Sequence, residues 1–229
     1  MYKLYAKGAV VLGLILMAAL CGGCSKNENI VDNDRITGSG KLVSQMRVVG
    51  TFTGIQVTNF AKVFVTQDTL ESLRIEADDN VMDRVMTSVT GGVLSVGLKD
   101  GSYTGVTVNV YASMKSIKRL ESTGAADFST TLPIVTDTIV CKIIGAGTIA
   151  LTGTATYEAA EIVGAGTIKN FGLAASRCNA SISGTGNIEV NVSEQLDAVI
   201  TGAGTITYDG NPPVVHQTVT GVGSIQPKP

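Results

Sequence analysis

The sequence predicts an all-β fold, a right-handed parallel β-helix (a β-solenoid of about six turns) preceded by a mixed β region, and three observations carry that expectation. First, the pentapeptide Gly145-Ala146-Gly147-Thr148-Ile149 returns at residues 164–168, 184–188, 202–206 and 221–225, with a degenerate copy at Gly124-Ala125-Ala126-Asp127-Phe128. The steps between first glycines are 21, 19, 20, 18 and 19 residues. Second, every copy keeps one apolar phase of period two. Ile143, Ile162, Ile182, Ile200 and Val219 stand two residues before the first glycine, and Ile149, Ile168, Ile188, Ile206 and Ile225 stand four after it. That alternation reads as strand. Third, the spacers lack the regular two-residue turns that antiparallel neighbours require, so the copies lie in one register.

The period fixes the dimensions. At about 3.3 Å per residue it gives a perimeter of about 60 Å, enough for two or three short faces, and six turns stacked at about 4.8 Å make a rod roughly 29 Å tall. The hand follows that of parallel crossovers. Glycines at fixed offsets (Gly145, Gly147, Gly164, Gly166, Gly184, Gly186, Gly202, Gly204, Gly221 and Gly223) read as corners cut at the same level of each turn. A dinucleotide-binding fingerprint is excluded, because the place of its third glycine holds Ala150, Lys169, Glu189 or Thr207.

In chain order, residues 1–23 carry Lys3 and Lys7, an apolar run from Gly8 to Leu20, and small residues before Cys24. This is a secretory signal. It resembles a bacterial lipoprotein signal, which implies cleavage before Cys24 and lipid attachment to its thiol. Leu20 stands one place earlier than the usual pattern has it. Cleavage there removes two lysines and leaves 15 basic against 19 acidic residues, a net charge of −4. That balance argues against nucleic acid as a partner. Residues 24–41, rich in Asn, Asp, Ser and Gly, read as a flexible tether.

Residues 42–118 read as an N-terminal β region that closes the open end of the coil, with strands over 47–57, 61–66, 72–77, 93–98 and 105–111. The run Asp79 to Met86 reads as one short helix, with Asn80 as its cap and Asp83 three residues on. Residues 119–229 are the repeat region. Of the cysteines left after processing, Cys141 and Cys178 fall two turns apart, about 10 Å, beyond the reach of a disulfide. They are expected as buried free thiols that fill space.

One resemblance is specific. Residues 52–57 (FTGIQV), 63–67 (VFVTQ), 75–83 (IEADDNVMD), 92–96 (GVLSV) and 106–112, followed by the GxGxI copies, resemble the head GIN domain family in order over about residues 42–225. The family is labelled a "putative auto-transporter adhesin". The resemblance implies an exported β-helical protein of a Gram-negative envelope, anchored by lipid, with the outer membrane as its site. It brings no catalytic or ligand residues with it.

Chemistry is sparse. His216 is the sole histidine, so neither a nucleophilic triad nor a zinc site has support, and no metal or cofactor is expected. Glu76, Asp78, Asp79 and Asp83 are the densest acidic cluster; the readings are helix capping or weak calcium binding near Asp78, Asp79 and Asp83. Stacked turns would pair Lys142 with Glu161 and Lys169 with Glu189. No outward column supplies the two acids of a glycosidase. A better populated column, Thr148, Thr167, Asn187, Thr205 and Ser224, forms a strip of hydroxyl and amide groups able to bind a repeating glycan, or else only a solvated strand face. Aromatics, the usual platforms for sugars, make up 5% of the chain. The expected function is therefore a non-enzymatic envelope module, an adhesin or a binding or structural rod. The alternative is a carbohydrate-active enzyme or glycan-binding protein using an outer face. An envelope protein partner is a third reading, and the oligomeric state is left open.

Overall fold

Ile, Val and Thr at alternate positions hold the backbone extended through nearly the whole chain. The computed structural model describes residues 35–229; the signal, Cys24 and the tether up to residue 34 lie outside the described residues. The strands are β1 (Arg35–Thr37), β2 (Leu42–Met46), β3 (Gly54–Val57), β4 (Phe60–Gln67), β5 (Ser72–Asp78), β6 (Val85–Thr90), β7 (Val93–Leu98), β8 (Ser102–Thr104) and β9 (Val108–Met114). The repeats supply β10 (Arg119–Ser122), β11 (Ala125–Thr130), β12 (Ile134–Ile143), β13 (Ala146–Ala150), β14 (Gly153–Ile162), β15 (Ala165–Ile182), β16 (Thr185–Ile200), β17 (Ala203–Asp209), β18 (Val214–Val219) and β19 (Val222–Pro227). Among the described residues there is no α-helix.

The fold is a β-solenoid whose intact GxGxI copies make about five turns, against the six expected. Parallel pairing stacks like residues. Ile143, Ile162, Ile182, Ile200 and Val219 form one column on the first face. Phe128, Ile149, Ile168, Ile188, Ile206 and Ile225 form another on the second face. A third, shorter face runs through Ile134, Gly153 and Leu173. Both ladders are fully buried until the last turn, where Val219 is 43% exposed. The corner between the first two faces is tight: a Cβ on Gly184 would lie 2.0 Å from the Gly164 carbonyl oxygen of the turn beneath. Only glycine admits that approach.

The N-terminal half contributes turns of its own. β3 pairs in parallel with β10 on one side and β7 on the other, while β4 pairs with β11 and β9. The layer of residues 54–65 thus lies between layers made by residues that follow it in the chain. Antiparallel strands close this foot: β6 covers β7 through the turn at Gly91-Gly92, both at positive φ, and β5 covers β9 and is flanked by β2. Pairing runs across residue 118 without a break, and the described residues form one compact unit.

Three expectations fail in this half. Of the strand expected over 47–57 only Gly54–Val57 is strand. The helix over 79–86 is a single 3-10 turn, Met82–Arg84, with no side-chain cap. Val85, Thr87 and Val89 alternate and are β-branched, so the chain enters β6 instead. Asn80 caps nothing: its amide donates to the Thr37 carbonyl (2.8 Å) and accepts from the Ser39 N–H (3.2 Å). The tether also ends early, because β1 pairs with β8 in parallel from Arg35.

Cys141 and Cys178 are buried free thiols, and burial pushes both well above the ordinary thiol range. Between them lies Glu158, fully buried.

Candidate binding face

The outer surface of the second face is built from three columns, because every second residue of each turn points to solvent. The central column is the polar strip. Thr148, Thr167, Asn187, Thr205 and Ser224 stand in unbroken register. Below Thr148 the column continues through Asp127, Lys62, Asn109 and Glu76. Nine polar side chains therefore follow one line at a spacing of about 4.8 Å. Asn187, Ser224, Asp127 and Lys62 are exposed and the others half-buried.

The foot of the face is where its chemistry concentrates. Phe64 stacks on Tyr111 (5.0 Å between centroids), and the Arg74 guanidinium lies over Tyr111 at 3.7 Å, so one flanking column begins with a cation and two rings. On the other flank Phe60 meets Tyr103 edge-on at 6.0 Å. Aromatics sparse in the sequence are thus gathered at one end by pairing between strands far apart in the chain. Between the flanks, Phe60, Lys62, Val106, Thr107, Asn109 and Asp127 line a concavity of about 320 Å³. Above the foot the Phe60 column turns small, through Ala125, Ala146 and Ala165, and leaves the polar strip unobstructed.

Of the acidic cluster, Glu76, Asp78 and Asp79 make contacts at this foot, whereas Asp83 stands apart in the 3-10 turn; they form neither a helix cap nor a shared site. Asp78 is 1% exposed; its Oδ1 accepts from the Gly40 N–H and its Oδ2 from the Thr107 N–H, each at 2.7 Å. It pins the wall of the concavity to the segment after β1. Asp79 accepts from the Ser39 hydroxyl (2.7 Å), the main reason its carboxyl is held below the ordinary range, and pairs with Lys41. Glu76 accepts from the Asn109 amide (2.9 Å). Among the described residues no three His, Cys, Asp or Glu side chains converge as a metal site.

The remaining sequence candidates lie elsewhere. Lys142 pairs with Glu161 at 2.8 Å on the first face, whereas Lys169 and Glu189 are register neighbours without a salt bridge among the described residues. His216 is exposed on β18 and its Nδ1 lies 2.7 Å from Asp197 Oδ1. Sequence reasoning missed Lys62, Asn109, Asp127 and the aromatic foot. Asp127 alone carried a signal, since it occupies the strip position of the degenerate copy.

Comparison with known proteins agrees with this architecture. A family model described as "Putative auto-transporter adhesin, head GIN domain" matches residues 51–212. A crystal structure of a "putative adhesin" from Bacteroides fragilis is similar at TM-score 0.69 and 24% identity, over 84% of this chain and all of that one. A "putative adhesin" from Parabacteroides merdae is similar at TM-score 0.51 and 24% identity, over 86% of this chain and all of that one. A "Putative lipid binding protein" from Parabacteroides distasonis is similar at TM-score 0.51 and 22% identity, over 85% and all. At these identities the likeness is one of fold. No curated protein matches the chain.

Proposed function

This chain belongs to the head GIN domain family of "putative" auto-transporter adhesins, and from that premise we propose that it is an exported, non-enzymatic binding module, tethered to the outer membrane through lipid on Cys24, that recognises an extended glycan along its second face. The observation that carries this reading is the unbroken polar register from Glu76 to Ser224 on a rigid sheet. A line of hydrogen-bonding side chains at regular spacing, most of them able both to donate and to accept, suits a polymer of repeating hydroxylated units.

Hydrolysis is disfavoured by the same geometry. Paired glycosidase carboxylates lie about 5–9.5 Å apart. Asp127 and Glu76 are three strands apart, about 14 Å, and Glu76 is tied to Asn109 and Arg74. The concavity itself is lined by one acid.

The test is a glycan array of host mucin and bacterial wall polysaccharides, probed with the processed protein and with a Thr167→Lys/Thr205→Lys variant. Binding lost in the variant supports the reading. Binding unchanged in the variant removes the strip from the function, and failure of every glycan overturns the ligand class. Palmitate labelling that persists in Cys24→Ser would overturn the anchor.

A further inference from the structure

We propose that the concavity at the foot of the second face is the end-subsite of this surface and takes one neutral pyranose ring, the terminal unit of the glycan whose following units lie along Thr148, Thr167 and Asn187; this rests on the glycan reading given above. The concavity differs in kind from the strip it terminates. The strip is flat, whereas the foot is a hollow of about 320 Å³, at the small end of the range in which pockets enclose a ligand.

Its walls sort by chemistry. Phe60 and Val106 give an apolar side for the C–H face of a sugar ring, with the Phe60 ring held by Tyr103 of β8. Lys62, Asn109 and Asp127 come from three adjacent strands, β4, β9 and β11, in one column, and present donor, amide and acceptor side by side. Asn109 gives its N–H to Glu76, which leaves its carbonyl to accept. Asp127 Oδ1 takes the Thr148 N–H at 3.0 Å, which anchors one oxygen of this exposed carboxylate. Lys62 forms no salt bridge among the described residues, although Asp127 is its register neighbour.

Hydroxyl pairs, each both donor and acceptor, complete such a set. A carboxylate or phosphate would meet Asp127 as well as Lys62 and gain little. A cationic sugar would be repelled by Lys62. The balanced pair therefore selects an uncharged ring.

The pocket is also built to keep its shape. Thr107 in its wall is fixed through Asp78 to Gly40, and Lys62, Asn109 and Asp127 stand on paired strands, so the polar groups are pre-positioned.

The experiment is saturation-transfer NMR on the processed protein with methyl glycosides of glucose, galactose, mannose and N-acetylglucosamine, and with methyl glucuronide as the charged comparison. The variants are Asp127→Asn, Lys62→Gln and Phe60→Ser, beside the Thr167→Lys/Thr205→Lys protein. Thermal unfolding and amide spectra verify that each variant is folded. Expected is transfer to at least one neutral glycoside, weakened about tenfold or more in Asp127→Asn and Lys62→Gln and retained in the strip variant. Stronger binding of the glucuronide than of every neutral glycoside overturns the proposal. So does array binding that the strip variant abolishes and the three foot variants leave unchanged, which would sink the end-subsite while preserving the glycan reading. Absence of binding to any saccharide in either assay overturns both.

Discussion

The Asn170 amide donates to Glu158 Oε1 at 2.6 Å in the centre of the solenoid. Both side chains are fully buried. Asn170 also accepts from the Leu151 N–H at 3.0 Å and reaches Cys141 Sγ at 3.6 Å, while Glu158 Oε2 has no partner among the described residues. Glu158 stacks between Ile139 below and Cys178 above and forms no salt bridge among the described residues, and burial pushes its carboxyl from 4.5 up to about 7.

Stability should fall as pH rises. The folded protein holds the Glu158 proton more tightly than the unfolded chain does, so the contribution is complete below about 4.5 and is lost as pH climbs through about 7. The difference amounts to about 3 kcal/mol. Glu158→Gln keeps an acceptor for Asn170 and has no charge to bury. Chemical denaturation at pH 5 and pH 8 should show this slope in the parent and a flatter one in the variant. Equal slopes would contradict the assignment.

Gly184→Ala should destabilise the protein by on the order of 3 kcal/mol, since the new Cβ meets backbone oxygen of the turn beneath and neither turn can yield alone. Gly50→Ala is the control. Its Cβ would meet nothing within 4 Å, and its midpoint should move by less than about 0.5 kcal/mol.

Ladder truncations should grade with depth. Ile168→Ala removes a fully buried side chain and should cost about 3 kcal/mol. Ile225→Ala, in the half-buried end position of the same column, should cost about 1 kcal/mol or less. Urea midpoints of the two variants test the order, and equal losses would mean that the last turn is as firmly held as the middle.

Asp78→Ala should free the segment after β1. It removes the acceptor of the Gly40 and Thr107 amides, each worth about 1.5–3 kcal/mol as a bond to a charged group. Hydrogen exchange at those two amides, with limited proteolysis around residues 35–41, reads the release. Unchanged protection would show that β1 is held by its pairing with β8 alone.

The solenoid was legible because its signal repeats: the columns at two before and four after each first glycine name themselves. The same alignment carried further would have exposed the buried polar pair. Six residues before the first glycine stand Ile139, Glu158, Cys178, Leu196 and Val215; six after it stand Leu151, Asn170, Val190 and Tyr208. One polar residue in each apolar column was readable. The foot was not, for a different reason. Lys62, Asn109 and Asp127 belong to no common motif and meet only because β4 is laid between β9 and β11, a pairing order that local periodicity does not encode. The misread helix has the same origin, since Val85 and Met86 fit either period until β7 supplies an edge.

That threading also sets how such a chain can change length over generations. Beyond Ile134 every turn rests on the turn just before it, so a copy can be duplicated or deleted there and the neighbours close over the seam. At the foot, residues 54–65 are held between two later passes of the chain, and no single insertion adds a layer without separating strands that must pair. The rod can grow from its C-terminal end, while the hollow at its base is inherited whole.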